Sequence, residues 1–168
     1  MKKHFLRSIS FFLLAPIFLF AFVAKPDHAN FSGEWKLNEG KSDLGQFANF
    51  AIRTIKANQT NDSIQIARTA PSFNGGDATT NETLTFDGKQ SESSLFGNSK
   101  KKASAAWSDD GQALTITYTL SLDFNGQTTE VSGKEKWTLS DGGKTLTLEN
   151  NSSSSFGDLS TKSVYEKQ

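Results

Sequence analysis

Between residues 113 and 123 apolar and polar side chains alternate without a break. Leu114, Ile116, Tyr118, Leu120 and Leu122 fall on one face, Thr115, Thr117, Thr119 and Ser121 on the other. A period of two belongs to a β-strand with one buried and one wet face. From Phe31 onward the same alternation recurs in short segments separated by Gly, Asn and Asp turns, and no helical period of useful length interrupts it. The segments read as ten strands, at about 31–37, 50–59, 63–70, 78–86, 90–96, 100–107, 113–123, 127–139, 144–150 and 159–167. Strands with a single apolar face bury it only in a sandwich or a closed tube. The chain is therefore all-β, and the order of its turns selects an antiparallel up-and-down β-barrel of about 8–10 strands.

Those turns are of two chemical kinds that alternate along the chain. One kind is polar: Asn61-Asp62, Asp87-Gly88, Asp109-Asp110-Gly111 and Asp141-Gly142-Gly143. The other carries phenylalanine, at Phe73, Phe96, Phe124 and Phe156. In a meander alternate connections lie at opposite ends. The long first connection, 38–49, falls at the phenylalanine end and contains Phe47, with Phe50 just after it. Phe47, Phe50, Phe73, Phe96, Phe124 and Phe156 thus ring one end, either as a mouth or as plugs beneath the turns.

Register is testable because a one-residue slip turns a whole apolar face outward. The Asp110-Gly111 turn pairs Trp107 with Leu114, Ala105 with Ile116 and Ala103 with Tyr118. The Asn125-Gly126 turn sets Leu120 opposite Val131, Tyr118 opposite Gly133 and Ile116 opposite Glu135. The Gly142-Gly143 turn sets Leu139 opposite Leu146 and Trp137 opposite Leu148. In the second hairpin a turn at Thr60-Asn61 makes Arg53 and Arg68 face each other on the inner side, whereas a turn at Asn61-Asp62 keeps both inward but offset. Opposed guanidiniums call for an anion, either a ligand carboxylate or Glu135, unless both arginines reach water at the wide end.

The first 24 residues follow different rules. Lys2, Lys3 and Arg7 precede the apolar run 11–24, interrupted by Pro16 and followed by Lys25-Pro26-Asp27. This is a signal-peptide pattern, short for a spanning helix of ~20 residues. The expected organisation is a signal peptide at 1–24, a linker at 25–30 and a barrel domain at 31–168. The product is periplasmic or secreted, or held by its leader as an N-terminal anchor if that leader is uncut.

Removing the leader's three cations from 18 Lys and Arg leaves 15 against 18 Asp and Glu, so the domain is mildly acidic and offers no footprint for nucleic acid. With no Cys, and His28 the one histidine outside the leader, Ser-His-Asp and Cys nucleophiles and His or Cys metal sites are unavailable. The run Lys100-Lys101-Lys102 reads as a solvated strand start. No catalytic set, metal site or cofactor is expected, and the outward faces carry Thr, Ser, Lys and Glu rather than the apolar band of an outer-membrane barrel.

Phe31-Ser32-Gly33-Glu34-Trp35-Lys36-Leu37 resembles the Gly-x-Trp opening of the lipocalins and related calycins, and the longer stretch to Gly45 is similar to the start of small secreted bacterial lipocalin-like proteins. The resemblance implies a lipocalin-like barrel with structural roles for Gly33 and Trp35, the latter at the closed end beneath a cation of the last strand, here Lys167. It also implies that the mouth lies at the first-loop end. Ten strands bring the layout nearer the fatty-acid-binding branch, though 38–49 is short for that branch's helical pair.

The leading functional expectation is a monomer that binds a small apolar or amphipathic ligand, of lipid or fatty-acid type, without bond formation. Phe86, Trp107, Tyr118, Leu120, Glu135 and Trp137 would line its cavity, with Arg53 or Arg68 holding an acidic head. The alternatives are a filled structural barrel that docks another protein, and a cofactor-free enzyme using Glu135 with Tyr118. A lumen above ~300 Å³ separates the first from the second.

Overall fold

The computed structural model describes residues 27–72, 75–124 and 126–168. The signal-peptide reading and Phe73 lie outside the described residues, as do the side chains of Phe47 and Phe124. Ten strands follow one another: β1 Gly33–Leu37, β2 Thr54–Gln59, β3 Ser63–Pro71, β4 Asp77–Thr85, β5 Ser91–Ser94, β6 Lys100–Trp107, β7 Ala113–Phe124, β8 Gln127–Ser140, β9 Thr145–Ser154 and β10 Gly157–Lys167. The first connection holds two short 3-10 turns, Glu39–Lys41 and Gly45–Phe50, which is why β2 begins four residues later than the alternation suggested.

All ten strands form one antiparallel sheet in the order β4-β3-β2-β1-β10-β9-β8-β7-β6-β5. The meander closes on itself because the short β1 pairs with both β2 and β10, setting Trp35 against Ile55 on one side and Lys167 on the other. Beyond β1 the seam continues through an isolated bridge between Asp43 and Lys162. Among the described residues the two edges β4 and β5 are not hydrogen-bonded to each other, and a groove bordered by Thr79–Thr83 and Glu92–Ser94 separates them. The barrel is thus nearly closed, with a polar slit.

Three hairpin registers match the alternation pair for pair, including Trp107 with Leu114, Tyr118 with Gly133 and Trp137 with Leu148. In the second hairpin the register is the offset one, Ile55 opposite Arg68 and Ala57 opposite Ile66. Polar residues 152–154 continue β9, since their backbone groups pair with β8 and β10 regardless of side-chain polarity. Val164 breaks the pattern of β10 by being buried next to buried Tyr165. The 38–43 segment packs over it, donating from the Asn38 amide to the Val164 carbonyl and accepting the Val164 amide at Ser42 Oγ.

The core gathers at the end opposite the first connection. Phe31, Trp35 and Trp137 are fully buried there. Phe31 meets Trp137 edge-on at 5.5 Å and Trp107 at 5.8 Å, while Phe86 lies 5.1 Å from Trp107. Residues 27–30, expected as linker, belong to this floor: His28 stacks on Trp107 at 4.4 Å and the Ala29 amide donates to the Gly111 carbonyl. Trp35 Nε1 donates to the Phe31 carbonyl at 2.9 Å, and Lys167 Nζ sits 5.2 Å over the Trp35 ring.

Gly133 shows how tightly the wall is built. A Cβ there would lie 2.6 Å from Cζ and Oη of Tyr118 and 2.9 Å from the Asn151 carbonyl oxygen. The tyrosine ring covers the glycine, and a backbone atom behind it has no room to yield. Gly133→Ala is accordingly expected to lower unfolding free energy by about 1–3 kcal/mol. Urea denaturation checks it, and adding Tyr118→Leu should recover part of the loss by removing the ring that clashes.

Candidate functional site

The barrel encloses a cavity of about 550 Å³ that opens toward the first-connection end. Its apolar wall includes Ile52, Ala70, Leu95, Leu120, Leu122, Leu148 and Leu159, each brought inward by the alternation of its strand or, for Ile52 and Leu95, by the turn beside it. The lumen is therefore not filled with side chains. At the base of the cavity, on the side of the aromatic floor, its wall carries a belt of four charged side chains on β3, β4, β6 and β8.

Arg68 organises the belt. Its Nε donates to Glu82 Oε1 at 3.1 Å and its Nη1 to Glu135 Oε2 at 2.9 Å. Lys101 Nζ donates to Glu82 Oε1 at 2.9 Å and lies 2.8 Å from its other oxygen. Trp137 Nε1 donates to Glu135 Oε1, and the guanidinium stands 5.5 Å over the same indole ring. Lys101 Nζ lies 5.5 Å over the Tyr118 ring, whose hydroxyl donates to Asn150 Oδ1 at 2.7 Å. All four charged side chains are only 6–10% exposed, so these bonds act in a low dielectric and leaving one unmade is expensive. Among the described residues two donors, Arg68 Nη2 in the belt and Trp107 Nε1 in the floor, are buried without a hydrogen-bond partner.

The protonation states follow from these neighbours. Burial alone would push the Glu135 carboxyl up, but the Arg68 guanidinium and its hydrogen bond outweigh that and hold it below the ordinary glutamate range. Burial works against the Arg68 charge too, yet Glu135 and then Glu82 raise its pKa, so it stays charged. Lys101 is pulled down by burial and then by repulsion from Arg68, against the attraction of Glu82 and Glu135. Burial raises the Tyr118 and Tyr165 phenols. Glu135 is thus an ionised carboxylate with both oxygens engaged, and the Tyr118 hydroxyl is committed to Asn150. Neither is presented as a free acid or base.

The structure sorts the residues singled out from sequence by height in the barrel. Arg68, Tyr118, Leu120 and Glu135 line the cavity, as do Phe50 and Phe96, which are 46% and 45% exposed. Phe86, Trp107 and Trp137 do not line it: they point inward, but at the level of the floor, where they pack on Phe31 and Arg68. Arg53 does not face Arg68. The offset register separates them, and Arg53 reaches out at the rim to Asp77 at 3.1 Å, with more than half its side chain exposed. Phe156, at the β9–β10 turn, is 86% exposed and stands clear of the cavity.

Two members of the belt escaped the sequence reading. The run Lys100-Lys101-Lys102 reads in sequence as solvated, but only Lys100 and Lys102 are exposed, whereas Lys101 is buried. Alternation with inward Ala103 and Ala105 carries that signal. Glu82 is likewise two residues from buried Leu84 on the same face. A hydrophobicity filter hides charged residues at inward positions, and only their counter-ions on other strands make such placement affordable. Among the described residues no group of three or more His, Cys, Asp and Glu could hold a metal ion, and no helix is long and apolar enough to cross a membrane.

No family model matches the chain, and no curated protein matches it in sequence. Among solved structures its fold is similar to that of the zebrafish ileal bile acid-binding protein crystallised with cholic acid. The TM-score is 0.50 at 17% identity, over 82% of this chain and 98% of that one. At this identity the likeness is one of fold.

Removing Glu135 leaves Glu82 as the one carboxylate shared by the buried Arg68 and Lys101 cations. Glu135→Ala is expected to cost about 3–5 kcal/mol of stability, read by urea denaturation. The lowered Glu135 pKa also sets a pH dependence. Its contribution is fully present above the unfolded-state value of ~4.3 and is lost as pH falls through the lower folded-state value. Acid denaturation should therefore be less steep in Glu135→Gln than in the unaltered protein.

Proposed function

We propose that this protein is an exported barrel that holds a small hydrophobic or amphipathic molecule of lipid type in its lumen, without forming a bond to it. The observation that carries this reading is the cavity: about 550 Å³, above the ~300 Å³ at which ligand pockets begin. Its wall is mostly apolar, so a hydrocarbon body transferred from water gains ~25 cal/mol for each Å² it buries. The polar belt at its base supplies orientation, since an amphiphile that presents its polar end there satisfies groups that a purely apolar guest would leave unmet.

Other observations support parts of the reading. The fold neighbour is a bile acid-binding protein whose structure was determined with cholic acid, an amphipathic molecule. The aromatic rings of Phe50 and Phe96 at the open end offer an incoming apolar molecule a surface before it is buried. Export rests on the leader alone, with Lys2, Lys3 and Arg7 preceding the apolar run 11–24.

Filling the lumen should abolish uptake. Leu120 lines the cavity and is partly exposed to it, so Leu120→Trp adds bulk without opening a hole elsewhere. The unaltered protein is expected to enhance the fluorescence of the neutral probe N-phenyl-1-naphthylamine saturably, and Leu120→Trp to weaken its binding about tenfold or more. A folded Leu120→Trp protein, by circular dichroism, that binds the probe with undiminished affinity places the probe outside the lumen and removes the reading.

A further inference from the structure

We propose that the lumen selects uncharged amphiphiles ending in a hydroxyl group over those ending in a carboxylate. The inference rests on the lumenal-binding reading above and adds the chemistry of the head group. It starts from a count of charge. Of the side chains lining the cavity, Arg68, Lys101, Glu82 and Glu135 are charged, and they form one network of two cations and two anions. Each cation already has a carboxylate within 3.1 Å, and each carboxylate a cation. The belt therefore carries no surplus positive charge for a ligand carboxylate to neutralise.

A carboxylate arriving there would shed its hydration shell, a large cost for a buried ion. It would meet the Glu82 and Glu135 carboxylates in the same wall as the cations that attract it, so attraction and repulsion largely offset. To gain a full ion pair it would have to displace Glu82 or Glu135, leaving a protein carboxylate buried without its partner. A hydroxyl faces none of these costs. It donates one hydrogen bond and accepts two, and the wall offers both functions: carboxylate oxygens as acceptors, the Thr161 and Ser163 hydroxyls as either, and the Tyr118 hydroxyl, whose proton goes to Asn150, as an acceptor. Arg68 Nη2 is a donor still without a partner, and a neutral acceptor satisfies such a donor without importing charge.

The test compares two molecules of twelve carbons each, in which dodecanol buries one methylene more than dodecanoate, worth about fourfold in affinity, so that only a larger gap reports the head group. N-phenyl-1-naphthylamine is bound to the full protein at pH 8, and 1-dodecanol, below its solubility limit, and sodium dodecanoate, below its micellar concentration, compete for it. The expected result is displacement by dodecanol at about tenfold lower concentration than by dodecanoate. Two variants move the charge in opposite directions. Glu82→Gln gives the belt a net positive charge and should close or reverse the gap, whereas Lys101→Met gives it a net negative charge and should widen it. Dodecanoate competing as well as dodecanol in the unaltered protein overturns the selectivity while leaving lumenal binding intact, as does a gap indifferent to both variants. Failure of the unaltered protein to take up the probe, dodecanol or dodecanoate overturns both readings.

Discussion

The ladder between β1 and β10 turns a sheet into a container. Every strand has one apolar face, and only when the first strand bonds to the last do all ten faces look at a common interior. The joint is short, since β1 is five residues long, and it is reinforced where it is made. Trp35 sits on it fully buried, tied by its indole N–H to the Phe31 carbonyl, with Lys167 of the facing strand over its ring. Farther along, the bridge between Asp43 and Lys162 and the packing of the 38–43 segment on Val164 extend the joint where β1 has ended. The Gly-x-Trp opening thus marks the residues on which closure depends.

Closure divides the interior into a packed floor and a hollow upper part. Aromatic rings are large enough that three or four of them fill a barrel of this width. Phe31, Phe86, Trp107 and Trp137 do so at one end, sealed from outside by His28. Above them the inward residues are mainly leucine, alanine, serine and threonine, with Tyr118 and Tyr165 in the wall, and together they leave the space unfilled. Between the two levels lies the charged belt. Its charges cost desolvation, and the network offsets that cost by giving each ion an opposite partner and using an indole N–H and an indole face as further support. The belt also links strands distant in the meander, β3 and β4 with β6 and β8, across the slit where the ladder is missing. A polar network there does mechanically what hydrogen-bonded strands do elsewhere in the wall.

Which parts of this were legible in advance follows from what alternation encodes. Strand number, antiparallel order and the registers of the β6–β7, β7–β8 and β8–β9 hairpins were readable, because turn residues and inward apolar faces each specify them and agree. The second hairpin left two registers open, since polar residues Thr60, Asn61 and Asp62 accommodate either turn, and burial of Ile55, Ala57, Ile64 and Ile66 is compatible with both. Glu135 was readable as inward because a strong register fixed it. Lys101 and Glu82 were not, because each is a charge whose inward position makes sense only beside the other.

By itself, then, the amino-acid sequence determined which side of each strand faces inward and the order in which the strands join, because both are local: a period of two and the chemistry of a turn of two or three residues. It did not determine height along the barrel axis or the pairing of charges between strands far apart in the chain. Trp107 and Tyr118 are equally inward in sequence, yet one belongs to the floor and the other to the cavity wall. Likewise Arg68 meets Glu135 across 67 residues. Such relations depend on the tilt and stagger with which the closed sheet sets its strands, a property of the whole barrel that no single strand carries.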